Sequence, residues 1–225
     1  MIQFKLYLIE KYYFRVMFKA ILSLFTIKSH KLVRDRILNA FPRAMKNEVE
    51  AVLDIIPLNE NDIARADGQT HKVEELIHSS IQPINLENES LIIPRRVYFN
   101  EPDSEREKKL TDRQRTILNC IYLCHYDGYV RQRRLEQLPD EFEYFVVPYT
   151  MQLLGGYVIE IIEVLNKHLT EKNLANYKKF AAENPKYWLQ TQSRVISYWD
   201  EYYRKKFPKI TDYIGMEIVK RINRT

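Results

Sequence analysis

TDRQRTILNCIYLCHYDGYVRQRRLEQL, residues 111–138, is the stretch whose reading decides the fold. Thr111 followed three residues later by Gln114 is a capping-box pattern, in which each side chain satisfies a backbone N–H left free at the start of a helix. Ile117, Ile121 and Cys124 then recur at helical spacing, so one face is apolar. Asp127-Gly128 turns the chain, and Asp127 can cap a second helix running from Tyr129 to Leu138. Pro139 and Asp140 stop it. The stretch therefore predicts a helix, a tight turn and a second helix.

The same grammar continues toward the C-terminus. Phe145 to Leu154 predicts a short helix, and Gly155-Gly156 turns into another from Tyr157 to Leu169. Thr170 caps a helix ending near Glu183, and Asn184-Pro185 opens a long one by the N-cap and N1-proline rule. Pro208 ends that region, and Thr211 opens a last helix to about Ile222. Two segments also align at a spacing of 28. Gly128-Tyr129-Val130 with Leu135 matches Gly156-Tyr157-Val158 with Glu163, Val164 and Leu165. A helix pair that repeats in this way buries its apolar face by stacking on its neighbour.

Asp127-Gly128-Tyr129-Val130-Arg131, with Leu135 and Leu138 behind it, resembles the inter-helix turn and second helix of HEAT repeats. Pro148, Leu153 and Leu154 before Gly156-Tyr157-Val158 resemble the proline and leucine pair of a HEAT first helix. The resemblance covers residues 110–170. Arg134 stands where a small residue is usual, and Ile159 replaces the arginine of the second copy. It implies a short α-solenoid of antiparallel helix pairs, and a scaffold that binds protein or nucleic acid along a concave face. A HEAT-like DNA glycosylase is implied in fold alone, since Trp199-Asp200 identifies no base-binding cleft.

Toward the N-terminus the pattern predicts helices over about 5–24 and from Ser29 to before Pro42. Met45, Val49, Val52, Leu53 and Ile56 form a third apolar stripe, ended by Pro57. Thr70 can cap a short helix placing Val73, Leu76, Ile77 and Ser80 inward. From Pro83 to Lys109 three prolines break the helical pattern, and Leu91-Ile92-Ile93 and Val97-Tyr98-Phe99 read as extended. This segment is expected to be a packed strap; a short β excursion and a hinge are the alternatives. The organisation is thus a helical N-terminal region over 1–82, an extended strap or linker over 83–109, and a helix-pair region over 110–225. Only five glycines in 225 residues favour an all-α class, because sheet turns demand residues at positive φ.

The net charge of +5 hides segregation. Residues 1–47 carry +8 and residues 48–91 carry −8, so the two blocks are expected to face and neutralise each other. Charges interrupt the apolar N-terminus throughout, which predicts neither a signal peptide nor a membrane span. With only Cys120 and Cys124, no disulfide framework is expected, and the location is read as cytoplasmic. A metal site from Cys120, Cys124 and His125 is the alternative to two buried, reduced thiols, which the burial habits of free cysteine favour.

No phosphate loop, zinc-protease spacing or nucleophile elbow is present, so no catalytic residue, cofactor, metal or small-molecule substrate is assigned. Glu160 and Glu163 read as a solvated helix face. Two clusters remain. Arg131, Arg133 and Arg134 follow the Asp127-Gly128 turn and are expected to face solvent and bind an acidic protein partner, with ion pairs to Glu136, Asp140 or Glu141 as the bland alternative. From Tyr187 to Phe207, aromatics alternate with cations. Trp188, Val195, Trp199 and Tyr202 fall on one stripe and read as core, while Arg194, Tyr198, Arg204, Lys205 and Lys206 could serve a nucleic-acid groove. The expectation is a non-catalytic interaction scaffold for a protein partner, with nucleic-acid binding as the alternative.

Overall fold

Apolar spacing and Pro42 set the first described helix, α1, through residues 31–38, which buries Val33 and Ile37. The structure is a computed structural model and describes residues 31–58, 62–64, 70–72, 75–79 and 82–224. The helix expected over 5–24 lies outside the described residues. A 3₁₀ turn, Arg43–Met45, leads into α2, Lys46–Leu53, whose stripe of Val49, Val52 and Leu53 is fully buried. The described part of the basic block does meet the acidic one. Arg34 pairs with Asp54 at 2.8 Å, Arg36 approaches Glu75 at 3.5 Å, and the backbone N–H of Arg43 donates to Glu89 at 3.0 Å.

Short antiparallel strand pairs follow within a mostly helical chain that fits an all-α class, and they realise the β alternative for part of the 83–109 segment. Strands β1 (Asp62–Ala64) and β2 (Thr70–Lys72) pair, as do β3 (Ile77–Ser79) with β6 (Pro94–Val97), and β4 (Ile84–Leu86) with β5 (Glu89–Leu91). Among the described residues, Thr70–Lys72 and Ile77–Ser79 are strands where a short helix after Thr70 is expected. Burial along β3 alternates with a period of two, Ile77 inside and His78 outside, and Ile77 sits opposite Val97. The β4–β5 hairpin turns through Glu87 at φ 49° and Asn88 at φ 71°, so two non-glycine residues take the positive-φ positions of a two-residue hairpin loop. Glycine scarcity therefore did not exclude the hairpin. The 83–109 segment is both packed and partly β. Ile84, Leu86, Leu91, Ile93, Val97 and Phe99 are buried, and α3, Ser104–Glu107, is capped by Asp103.

The helical remainder follows the sequence reading closely. In α4 (Asp112–Tyr122) the capping box is complete: Gln114 N–H donates to Thr111 Oγ1 at 3.2 Å, and Thr111 N–H donates to Gln114 Oε1 at 2.9 Å. Asp127 Oδ1 accepts from Tyr129 N–H at 2.8 Å and opens α5, Gly128–Glu136. Then come α6 (Val147–Leu154), α7 (Ile159–His168), α8 (Glu171–Glu183), α9 (Pro185–Tyr198), a π-helical turn (Trp199–Tyr203) and α10 (Ile214–Asn223). Helix α4 packs on α5 and α6, α5 on α7, and α6 on α7, α8 and α9, while α10 closes on α7, α8 and α9. One apolar core runs through all three segments, from Val33 to Ile222.

Of the stripe residues expected inside, Val49, Val52, Leu53, Ile117, Ile121, Val130, Leu135, Ile161, Ile162, Leu165, Val195 and Trp199 are buried and Val158 is half-buried. Tyr202 departs from its stripe and is 57% exposed. The extra residue in the π turn rotates the register, so that Tyr203 instead of Tyr202 packs on the core, stacked on Tyr213. Among the described residues, no helix is long and apolar enough to cross a membrane.

Candidate functional site

The three arginines after Asp127 have three different fates. Arg134 is buried: it pairs with Glu107 through both nitrogens, with Glu101, and with Asn119 Oδ1 at 3.2 Å, and lies over the Tyr122 ring. Arg133, half exposed, pairs with Glu101. The expected solvent-facing triad is corrected at Arg134, which the acidic residues Glu101 and Glu107 cover, and at Arg131, which is also buried; Arg133 stays exposed. The partners are Glu101 and Glu107, not Glu136, Asp140 or Glu141.

Arg131 faces a different environment. It is 6% exposed, and its Nη1 donates to the carbonyls of His125 at 2.6 Å and Tyr126 at 2.8 Å. Burial and, next to it, the positive charge of Arg96 pull its pKa down to about 10. It lines a cleft of about 710 Å³ between the β3–β6 pair, the α6–α7 turn and α9. Main-chain bonds hold the β side in place: Val97 N–H donates to Cys124 O at 2.9 Å, and Tyr126 N–H to Val97 O at 3.1 Å. Gln152 crosses from α6 to β6, donating to Pro94 O at 3.1 Å.

The lining is charged with one sign. Among the described residues, Arg95, Arg96, Arg131, Lys186 and Arg194 contribute to it, and no Asp or Glu does. Among the described residues, none of these five forms an ion pair. Exposed Arg95, Lys186 and Arg194 stand at the rim, half-buried Arg96 lies further in, and Arg131 is deepest by exposure. Arg194 lies along the α6–α7 turn, where its Cδ would sit 3.4 Å from a Cβ at Gly155, so the glycine leaves room for it. Tyr157 and Tyr198 also line the cleft, and with Tyr202 they form a mutually contacting trio with ring centroids 5.6–6.0 Å apart. Tyr203 O–H donates to Tyr157 O and ties the π turn to this lip.

The structure thus joins residues from both sequence clusters, Arg131 with Arg194 and Tyr198. Arg204, Lys205 and Lys206 are not in the cleft lining: Arg204 pairs with Asp200 at 2.6 Å over Trp199, and Lys206 lies over Phe207. Arg95, Arg96 and Lys186 escaped the sequence reading, and the Arg95-Arg96 pair after Pro94 was the available signal. Cys120 and Cys124 are buried free thiols. Both ring nitrogens of His125 are engaged, Nδ1 accepting from Asp127 N–H at 3.2 Å and Nε2 meeting Phe99 O at 3.1 Å, which leaves this histidine no lone pair for a metal. Comparison of the chain with known protein families, curated proteins and solved structures yields no match.

Proposed function

We propose that this chain is a non-catalytic nucleic-acid-binding module that holds a single strand in the cleft. The carrying observation is a concave lining that, among the described residues, holds five cations and no carboxylate beside a cluster of three tyrosines. Cations spaced along a groove match a phosphate backbone, and exposed rings offer stacking faces to bases of any sequence. A partner presenting scattered carboxylates has less use for so large a one-sign field. Helices α4 to α7 act as two stacked pairs of HEAT-like form, a reading supported by α4 packing on α6 while α5 packs on α7. The protein-scaffold reading keeps one observation of its own, exposed Leu189 and Ile196 seven residues apart on α9.

Fluorescence anisotropy with short single- and double-stranded oligonucleotides tests the proposal. Single strands should bind, with log K falling against log salt at a slope of about −2 to −3.5 for three to five phosphate contacts. The Arg95→Gln/Arg194→Gln variant changes two exposed side chains and should weaken binding at least about tenfold with its circular dichroism unchanged. Absence of binding at about 50 mM salt, or binding indifferent to the double variant, overturns the proposal.

A further inference from the structure

We infer that the deep end of the cleft recognises a terminal phosphomonoester, so that the protein engages a phosphorylated strand end rather than the middle of a strand. This rests on the nucleic-acid reading above. Two guanidiniums, half-buried Arg96 and buried Arg131, line the same cleft, and burial and then the charge of Arg96 weaken the protonation of Arg131. Like charges held together in a low-dielectric recess are mutually repulsive until an anion joins them. A phosphodiester brings one negative charge. A terminal phosphomonoester brings close to two near neutral pH, with three acceptor oxygens free to meet both guanidiniums.

The surroundings fit an end better than a through-running chain. Arg131 is fixed through Nη1 by the carbonyls of His125 and Tyr126, which orients the guanidinium, and the negative charge of Asp127 offsets its charge only in part. Behind it the Gln152 bond to Pro94 O joins α6 to β6, and the main-chain bridge between Val97 and Cys124 joins β6 to the end of α4. A strand entering between the exposed cations meets this Gln152 crosslink between two walls of the cleft, which favours a chain terminus over a continuing backbone. The tyrosine trio stands at the lip, placed to stack bases that follow the terminal phosphate.

The test compares one single-stranded sequence with a 5′-phosphate, a 3′-phosphate or hydroxyls at both ends, in the full chain at about 150 mM salt. A mononucleotide, inorganic phosphate and a phosphotyrosine peptide serve as competitors. One phosphorylated end should bind at least about tenfold tighter than the hydroxyl-ended strand. That ratio should fall toward one in Arg96→Gln and in Arg131→Lys, with circular dichroism confirming that each variant is folded. Equal affinity for phosphorylated and hydroxyl ends overturns end recognition while leaving nucleic-acid binding standing. Mononucleotide binding without strand binding, tighter binding of the phosphopeptide than of any strand, or no binding at all overturns both readings.

Discussion

Arg134 grips Glu107 at two points, Nη1 to Oε1 at 2.5 Å and Nη2 to Oε2 at 3.0 Å, with the arginine side chain only 4% exposed. Glu101 accepts from the same guanidinium at 2.9 Å, so one arginine staples the 98–107 segment to α4 and α5. Removing one partner of a buried pair leaves the others desolvated and uncompensated. Arg134→Ala should cost about 2–4 kcal/mol, below the full buried-pair penalty because Glu101 and Glu107 keep some solvent contact. Arg133→Ala, at a half-exposed position, should change stability by less than about 0.5 kcal/mol. Urea unfolding of the two variants measures the contrast, and equal losses would refute the staple.

Leu135 and Ile161 sit within the shared core at 0% and 2% exposure. Truncating either to alanine should cost about 2–5 kcal/mol by lost transfer energy and cavity formation. Leu189→Ala, on the exposed side of α9, should cost under about 0.5 kcal/mol. Chemical denaturation of the three variants gives the comparison.

Burial raises the Cys120 thiol and pushes Cys124 up to about 12, from ordinary values near 9. The unfolded chain therefore releases these protons first. Their contribution to stability is fully present below about pH 9 and is lost as pH climbs toward the folded values. Each thiol should remove up to about 1.4 kcal/mol per pH unit there. Urea midpoints at about pH 8, 9 and 10 should fall, and more gently in a Cys120→Ala/Cys124→Ala variant. An unchanged slope in that variant would contradict the assignment. Both thiols should also resist alkylation at about pH 8 until the protein is unfolded.

The helical half was legible because its signals are local. Thr111 with Gln114, Asp127 before Gly128, and Asn184-Pro185 each state a helix start within a few residues, and the apolar stripes state which face goes inside. The β hairpin was legible only as an alternative for the 83–109 segment, for a physical reason. Its turn carries Glu87-Asn88 at positive φ in place of a glycine pair, and the pairing of β3 with β6 spans intervening residues that give no periodic signal. The site was legible residue by residue but not as a place. Arg194 and Tyr198 stood out in a basic aromatic run, and Arg131 in an arginine cluster, yet only long-range packing brings them beside Arg95 and Arg96. The same packing withdraws Arg134 and pairs the exposed Arg133, with acidic partners from about 30 residues upstream.

Asn88→Gly tests the hairpin directly. Left-handed backbone costs a non-glycine residue up to about 1 kcal/mol, less for asparagine, and glycine relieves it at some cost in unfolded-state entropy. The variant should be as stable as the parent or gain up to about 1 kcal/mol in thermal unfolding. A loss of more than about 1 kcal/mol would show that the side chain, not the turn geometry, matters there.

Tyr202 and Trp199 separate binding from folding within one π turn. Trp199 is 9% exposed, its indole N–H donates to Phe207 O at 2.8 Å, and Arg204 covers its ring, so Trp199→Ala should cost about 3–5 kcal/mol. Tyr202 is 57% exposed and touches Tyr157 and Tyr198 at the lip of the cleft. Its truncation to alanine should leave stability within about 0.5 kcal/mol. If the lip stacks bases, the same change should weaken single-strand binding by about 5- to 150-fold, the loss of about 1–3 kcal/mol per stacked base. Anisotropy and urea unfolding on both variants decide the matter. Unimpaired strand binding by a stably folded Tyr202→Ala protein would remove the tyrosine lip from the binding surface and leave the cations as the contact.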